Sequence, residues 1–416
     1  MTSGNSENGI EIISRRIGSE AGGVTLFCCT DRNQKIFENQ YALPDGMTYN
    51  SYLIEDRLTV VLDTTDHRVK DAWLAKLADT LKEHGRKPDY IIIQHLEPDH
   101  SSGISDFMKL YPECKILCSC KAACMLPHFC PEIAEERMEA LNPGECLDTG
   151  SRKLLFIPAP MVHWPEVIMT YDPEEKILFC ADAFGTFGTA EAKKGSDKSL
   201  AETWPDEARR YFINICGKYV KQVACVLKKA SALEIKTLCP LHGPVIELSD
   251  FNPLPYYENW SSSEPESPKA VAIFAASLHG YSLEAAELLA EMLRREGAGD
   301  VKVYNLSETE LSEAVSQAYR CGISVFVCAT YDACIMPLMK DLISRLKSKG
   351  WHNRHYAVVE NGSWAPLAGK LIKEELSSIA ALEMIEPMVT VMTKVDKESE
   401  AALKTLAGNI AGNVKR

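Results

Sequence analysis

Four side chains that can bind metal ions lie close together in the sequence His-Leu-Glu-Pro-Asp-His at positions 95–100. The apolar run 88–93 precedes them and is opened by a proline, which predicts a short buried strand. Ser101 and Ser102 follow them, and either could cap a helix that continues to Leu110. The four side chains are therefore predicted on a loop between a strand and a helix, where they can converge on a bound ion.

Three more candidate metal ligands follow later strand-like runs, each as a single residue: His163, Asp182 and His242. A lone His or Asp at the end of a strand is more often structural than a ligand. With residues 95–100, however, they make a set of four imidazoles and three carboxylates, which suits two metal ions with Asp182 between them. A set without thiolates favours iron or manganese, although zinc accepts the same ligand types.

Other polar residues are less informative about a site. Asp63 ends the strand-like run 58–63 and could support a metal ligand, although an Asp at such a place is more often a turn former. Four of the 15 cysteines are spaced closely at positions 118–130, but their spacing matches no paired zinc or iron–sulfur motif. We predict reduced thiols, many of them buried as small apolar side chains.

The composition argues against several classes of partner. The chain has 416 residues with 45 Lys and Arg against 58 Asp and Glu, and its net charge of −13 argues against nucleic acid or an anionic membrane as the main partner. The first nine residues contain neither a basic nor an apolar region, so no signal peptide is predicted. No run of 18 apolar residues occurs, so no membrane span is predicted. We expect a cytoplasmic protein.

The series of candidate ligands resembles that of the metallo-β-lactamase fold. The hydrolases of that fold usually have His at the middle position of the first motif, where this chain has Glu97. With Glu97, the series is similar to that of the flavodiiron proteins. The segments Tyr-Asn-Ser-Tyr-Leu at 49–53, Pro-Met-Val-His-Trp-Pro at 160–165 and Asp-Ala-Phe-Gly at 182–185 agree with this resemblance.

The resemblance implies a diiron site, with Asp182 and Glu97 as ligands that act in catalysis. One iron would be held by His95, Glu97 and His163, the other by Asp99, His100 and His242, and Asp182 would be shared by both.

The second half of the chain has a different organisation. A segment rich in Pro, Ser and Glu predicts a linker at 255–268, between a first domain at 1–254 and a second at 269–416. Strand-like and amphipathic helical runs alternate in the second domain and predict a doubly wound, parallel, five-stranded sheet. The fold class is therefore a two-domain combination of α+β and α/β: an αββα metallo-β-lactamase-like sandwich, then a flavodoxin-like domain.

Three loops at predicted strand ends of the second domain resemble the FMN-binding loops of flavodoxin. The first can offer hydroxyl and backbone N–H groups to a phosphate, and the other two carry Tyr331 and Trp364, which could stack on a flat ring. The candidate FMN-binding residues are Ser277, Leu278, His279, Gly280, Tyr281 and Ser282; Ala329, Thr330, Tyr331, Asp332 and Ala333; and Asn361, Gly362, Ser363, Trp364 and Ala365. The first loop departs from the family pattern, because His279 takes the aromatic position and Tyr281 the Asn position. No G-x-G-x-x-G motif follows a strand, so NAD(P)H binding is not predicted.

The resemblance implies an oxidoreductase that reduces O2 to water, or NO to N2O, at two irons with electrons from FMN. The tail after Lys394 has no C-x2-C pair, so an external rubredoxin or a similar carrier is the expected electron donor. The family also implies a head-to-tail homodimer, or a tetramer. Two alternatives stay open: a dizinc hydrolase that uses the same ligands to form a metal-bound hydroxide, and a non-catalytic flavin electron carrier with a vestigial metal site.

Overall fold

The computed structural model describes residues 9–19, 24–142, 144–190, 199–262 and 264–415. The chain forms two compact units, Met1–Glu258 and Asn259–Arg416. The segment predicted as a linker contains most of helix α7 (Leu254–Trp260) and the start of strand β16 (Ser267–Ala276). Pro255 does not prevent this helix, because proline is tolerated in the first helical turn.

The first unit contains two mixed sheets. The strands of its larger sheet are β1 (Ile10–Ile17), β2 (Val24–Asp31), β5 (Met47–Glu55), β6 (Thr59–Leu62), β7 (Tyr90–Ile93), β8 (Lys115–Ser119) and β9 (Met138–Leu141). Those of the second sheet are β10 (Cys146–Asp148), β11 (Lys153–Pro158), β12 (Ile168–Asp172), β13 (Ile177–Phe179), β14 (Thr237–Cys239) and β15 (Ile246–Glu247). Both sheets follow this chain order from one edge to the other. A separate short hairpin joins β3 (Ile36–Phe37) and β4 (Tyr41–Ala42).

Helices of the first unit connect or flank these strands. They are α1 (Lys70–Glu83), α2 (Pro98–Ser101), α3 (Ile104–Leu110), α4 (Cys120–Phe129), α5 (Leu200–Ile215) and α6 (Val220–Ala230), with single 3-10 turns at Glu135–Arg137 and Gly217–Tyr219. Every residue of β2 and nearly every residue of β5 is buried, so these strands lie inside the unit and have no solvated face.

The candidate metal ligands follow the carboxyl ends of strands. Strand β7 ends at Ile93, directly before residues 95–100. Strands β13 and β14 are parallel neighbours, so the chain leaves both of them at the same edge of the sheet. Asp182 and His242 each lie three residues beyond those ends, and this shared edge brings them together.

The second unit is a parallel sheet flanked by helices. Its strands are β16, β17 (Val301–Asn305), β18 (Cys321–Tyr331), β19 (Cys334–Ile335), β20 (Arg354–Asn361), β21 (Leu382–Met384) and β22 (Val389–Val391), and its helices are α8 (Tyr281–Arg295), α9 (Leu311–Arg320), α10 (Pro337–Lys349), α11 (Ala368–Leu376) and α12 (Lys397–Lys415). The order of the parallel strands is β17-β16-β18-β20, and β21 and β22 both pair with β20. The short strand β19 pairs antiparallel with β18. Apolar side chains of α8 and α12 pack on the central strands and form a core. Among the described residues, no helix is long and apolar enough to cross a membrane.

Candidate functional site

The seven candidate metal ligands converge in the first unit as two neighbouring groups. One group contains His95, Glu97, His163 and Asp182, and the other contains Asp99, His100 and His242. In the first group, His163 Nε2 lies 2.9 Å from Glu97 Oε2. In the second, His242 Nε2 lies 3.1 Å from Asp99 Oδ2. This grouping is the one that the resemblance implied, and the role of these residues as iron ligands stays a prediction.

Asp182 lies between the two groups and presents one carboxylate oxygen to each. Its Oδ2 is 3.1 Å from His163 Nε2, and its Oδ1 is 3.1 Å from His100 Nε2. The side chain is almost completely buried. This is the arrangement that a carboxylate bridging two cations requires.

Several polar atoms at the centre of this site lack hydrogen bonds. Among the described residues, both carboxylate oxygens of Asp99, Asp182 Oδ1 and the Nε2 atoms of His100 and His242 are buried and make none. Buried polar atoms normally have partners, because leaving one unpaired costs about 1–3 kcal/mol. Metal ions bound here would give these imidazole and carboxylate atoms partners, so the donor set fits a pair of cations.

The ligands also shift one another's pKa values in the metal-free protein. Burial by itself would lower the pKa of His100 and of His163, but the neighbouring carboxylates raise both values to about 9. Burial by itself would raise the pKa of Glu97 and of Asp182, but the imidazoles hold both values below the usual range. Before a metal ion binds, His100 and His163 therefore carry protons at neutral pH, and metal binding must displace these protons.

Hydrogen bonds from outside the ligand set orient two of the imidazoles. His95 Nδ1 lies 2.8 Å from Glu166 Oε1, which also accepts the Leu96 N–H at 2.9 Å. His242 Nδ1 donates to the Thr48 carbonyl oxygen at 2.9 Å. These bonds leave the Nε2 atoms directed at the metal positions, as in other His-ligated metal sites. The sequence reasoning missed Glu166, although it lies only three residues after His163.

Asp63 lies behind the first ligand. Its carboxylate accepts hydrogen bonds from Gln94 N at 2.8 Å, Gln94 Nε2 at 2.9 Å and His95 N at 3.3 Å. Complete burial raises the pKa of Asp63 to about 6, although these hydrogen bonds by themselves would lower it. The geometry suits the supporting role considered for Asp63, since it fixes the backbone that carries His95.

Aromatic side chains enclose the imidazoles. The ring of Trp164 meets His95 edge-on at 5.3 Å between centroids, and Phe37 meets His242 edge-on at 5.4 Å. The Tyr211 ring lies 5.7 Å from His242, and its buried hydroxyl has no hydrogen bond among the described residues. Neither Phe37 nor Tyr211 was predicted, because neither belongs to a motif with the ligands.

The local structure around residues 95–100 differs from the predicted loop. His95 and Glu97 lie on a loop, but Asp99 and His100 lie in the one-turn helix α2. The helix starts at Pro98, whose fixed φ favours the first helical position. The prediction that Ser101 or Ser102 caps the following helix was wrong: Gly103 occupies that position, and the two hydroxyls donate to the carbonyls of Leu96 and Pro98.

The three predicted FMN loops of the second unit meet around one cavity of about 500 Å³. Because β16, β18 and β20 are parallel, their following loops emerge at the same edge of the sheet. Every predicted FMN-binding residue lines this cavity except Gly280, which has a φ of +94° at the N-terminus of α8. Leu367 and Thr393 also line it and were not predicted. Trp364 is 89% exposed, so its ring is free to cover a ligand.

Thr393 reaches the cavity because Asn361 holds its backbone. Asn361 Nδ2 donates to the Thr393 carbonyl at 2.9 Å, and Asn361 Oδ1 accepts the Thr393 N–H at 3.2 Å. The Thr393 hydroxyl also lies 2.9 Å from Ser363 Oγ. Thr393 could not be predicted from the sequence, because its place at the cavity depends on the hydrogen bonds that Asn361 makes to its backbone.

Comparisons with known proteins agree with both units. Residues 47–243 match the family model described as ODP family beta lactamase. The chain is 29% identical to the nitric oxide reductase of Moorella thermoacetica, covering 89% of this chain and 92% of that protein. It is 26% identical to the rubredoxin-oxygen oxidoreductase of Megalodesulfovibrio gigas, covering 94% and 97%. It spans only 52–62% of the length of the diflavin flavoproteins that it also matches.

A solved structure extends the similarity over the whole fold. A variant of the flavo di-iron protein from Thermotoga maritima superposes with a TM-score of 0.86 at 22% identity, covering 97% of this chain and all of that one. The predicted two-domain fold class is thereby confirmed. The two units of this chain carry the ligand series and the three-loop cavity in the predicted order, and the predicted resemblance to the flavodiiron proteins is confirmed.

Proposed function

We propose that this protein is a flavodiiron oxidoreductase that reduces O2 to water, NO to N2O, or both. The observation that carries the proposal is the position of Asp182, whose two oxygens face two separate sets of imidazole and carboxylate ligands. The names of the nitric oxide reductase and the rubredoxin-oxygen oxidoreductase among its relatives support the two substrates.

Two irons and one FMN are the proposed cofactors. His95, Glu97 and His163 would hold one iron, and Asp99, His100 and His242 the other, with Asp182 between them. When bound, the irons supply the coordination and electrons for the reduction, and FMN relays electrons to them. The loops around Ser277, Tyr331 and Trp364 would hold the FMN.

The chain itself contributes orientation and a dry surrounding. Glu166 and the Thr48 carbonyl fix two imidazoles through their Nδ1 atoms, and Asp63 fixes the backbone of His95. The rings of Trp164 and Phe37 limit the access of water to the same imidazoles. The Tyr211 ring also lies beside His242, and burial raises the pKa of its hydroxyl well above the usual value, so this group stays protonated next to the ligands.

The remaining expectations about partners are also part of the proposal. A small external redox carrier such as rubredoxin would deliver electrons to FMN, and two copies of the chain would associate head to tail, as a dimer or within a tetramer. We keep the proposed division into a diiron domain at 1–254, a linker at 255–268 and an FMN domain at 269–416. A cytoplasmic location is proposed from the sequence.

The experiment that tests the proposal is reduction of O2 and NO by the purified, iron- and FMN-loaded protein with a reduced rubredoxin as donor. The wild type is expected to consume at least one of the two gases, and Asp182→Ala to lose nearly all of this activity because the carboxylate between the two ligand groups is removed. The matched variant Trp164→Phe keeps a ring beside His95 and is expected to lose much less. Full activity in Asp182→Ala, or an equal loss in Trp164→Phe, would contradict the proposed roles.

A further inference from the structure

The backbone that carries Asp182 adopts two conformations that residues with a Cβ atom rarely adopt. Ala181 has a φ of +49° and Phe184 a φ of +65°. Such left-handed conformations persist only where the surroundings hold them. Within the loop, the Ala183 N–H donates to the Cys180 carbonyl at 3.1 Å and the Gly185 N–H to the Asp182 carbonyl at 3.2 Å. Those bonds leave the Phe184 N–H to be satisfied from outside the loop.

Tyr257 of helix α7 provides that contact. The Phe184 N–H donates to Tyr257 Oη at 2.5 Å. The two rings are tilted by 31° with centroids 4.2 Å apart, so the same side chain holds both the backbone and the ring of Phe184. Tyr257 is 1% exposed and is held in turn by Phe212, at 4.9 Å between ring centroids.

We propose that Tyr257 is a positioning residue for the metal centre, which acts by fixing Phe184 and through it the bridging carboxylate of Asp182. The inference rests on the proposed diiron function, and it assigns to α7 a role in that site. Phe184 lies between Asp182 and Gly185, whose N–H donates to the Asp182 carbonyl, so a change of the Phe184 φ strains this bond and with it the backbone that carries the carboxylate. A shift of either carboxylate oxygen, now 3.1 Å from an imidazole on each side, would unbalance the two metal positions.

The contact separates into a hydrogen bond and a ring contact, which allows a controlled test. Tyr257→Phe removes only the hydroxyl that accepts the Phe184 N–H and keeps the ring. Phe212→Leu removes the phenyl ring that packs on the Tyr257 ring, and it leaves the Tyr257 hydroxyl in place. A purely structural role predicts that both variants lower thermal stability without changing the iron centre.

Wild type and both variants are loaded anaerobically with Fe(II), and their iron affinity is measured. Each is then oxidised by one electron with ferricyanide, and the EPR spectrum of the resulting mixed-valence Fe(II)Fe(III) centre is recorded. We expect Tyr257→Phe to bind its second iron at least several-fold more weakly and to give shifted g-values, while Phe212→Leu keeps the wild-type spectrum. If Tyr257→Phe is not recovered folded, 3-fluorotyrosine at position 257 replaces it. The fluorine weakens the hydroxyl oxygen as a hydrogen-bond acceptor, and the side chain keeps nearly the same volume.

Two different failures can be told apart. A wild-type protein that binds fewer than two irons would overturn the proposed function itself. If the wild type binds two irons, and the variant altered at the Tyr257 hydroxyl has the same affinity for the second iron and the same EPR spectrum, only the role of Tyr257 is overturned. The role of Tyr257 would also be overturned if Phe212→Leu changed the g-values and the iron affinity as much as the variant altered at the Tyr257 hydroxyl, because packing alone would then explain the effect.

Discussion

Individual residues of the metal site divide into those that face the metal positions and those that orient them. Glu166 is a residue of the second kind. Its Oε1 lies against Nδ1 of His95, while Nε2 of the same imidazole faces the other candidate ligand Glu97. A neighbouring carboxylate increases the basicity of a ligating imidazole and fixes its tautomer. Glu166 also holds the Leu96 N–H, so it controls both the ring and its backbone.

Removal of Glu166 is therefore expected to weaken iron binding. Glu166→Ala should lower the affinity of the site for Fe(II) by about 10- to 100-fold, whereas Glu166→Gln, which keeps an acceptor oxygen, should lower it less. Equilibrium titration of the metal-free protein measures both. Glu136→Ala, on an exposed turn of the same unit, is the control. Equal affinities in Glu166→Ala and the control would show that the bond to His95 does not tune the site.

The pKa values of the candidate ligands predict how metal binding depends on pH. His100 and His163 have pKa values raised to about 9 by the carboxylates, so both are protonated at neutral pH and must lose a proton to bind a metal ion. Protons and metal ions therefore compete, and the apparent affinity should increase with pH by about tenfold per unit for each proton displaced. Titrations between pH 6 and pH 8 measure this slope. An affinity independent of pH over that range would contradict the predicted competition.

The convergence of the candidate ligands could be predicted from the sequence, because each stands beside an apolar strand-like run and together they suit two metal ions. Tyr211 and Tyr257 could not, because both lie on helices distant in sequence from the ligands. The meeting of the three candidate FMN loops could be predicted for the same reason, whereas the place of Thr393 beside them depends on its pairing with Asn361 across 32 residues.

At the scale of secondary-structure elements, parallel strands determine where the sites form. Strands β13 and β14 bring Asp182 and His242 to one edge, and β16, β18 and β20 bring three loops to another. The sheet of the second unit was predicted with five strands, but two short strands, β21 and β22, both pair with β20 along different stretches of it. Hydrophobic patterning predicts that a strand exists, but not which stretch of a neighbour it pairs with.

Trp364 tests whether the loop after β20 forms part of a flavin site. A stacked aromatic ring contributes about 0.5–1.5 kcal/mol, so Trp364→Ala is expected to weaken FMN binding by about 2- to 10-fold. Fluorescence titration of the flavin-free protein measures the affinity. Met392→Ala is the matched control, because Met392 is exposed and apolar but does not line the cavity. Equal FMN affinities in the two variants would rule out stacking on Trp364.

At the scale of the whole molecule, one chain carries a metal-ligand set in its first unit and a flavin-sized cavity in its second. Neither alternative function uses both. A dizinc hydrolase has no need of the second unit, and an electron carrier has no need of a complete set of ligands with Asp182 between the two groups. An oxidoreductase that feeds electrons to a diiron site uses both units.

Iron, zinc and flavin content per chain, measured on protein purified anaerobically from iron-supplied cells, tests this account most directly. We predict two irons and one FMN per chain, with little zinc. Two zinc ions without flavin would contradict the account and favour the hydrolase. Flavin with an empty metal site would also contradict it and favour the electron carrier.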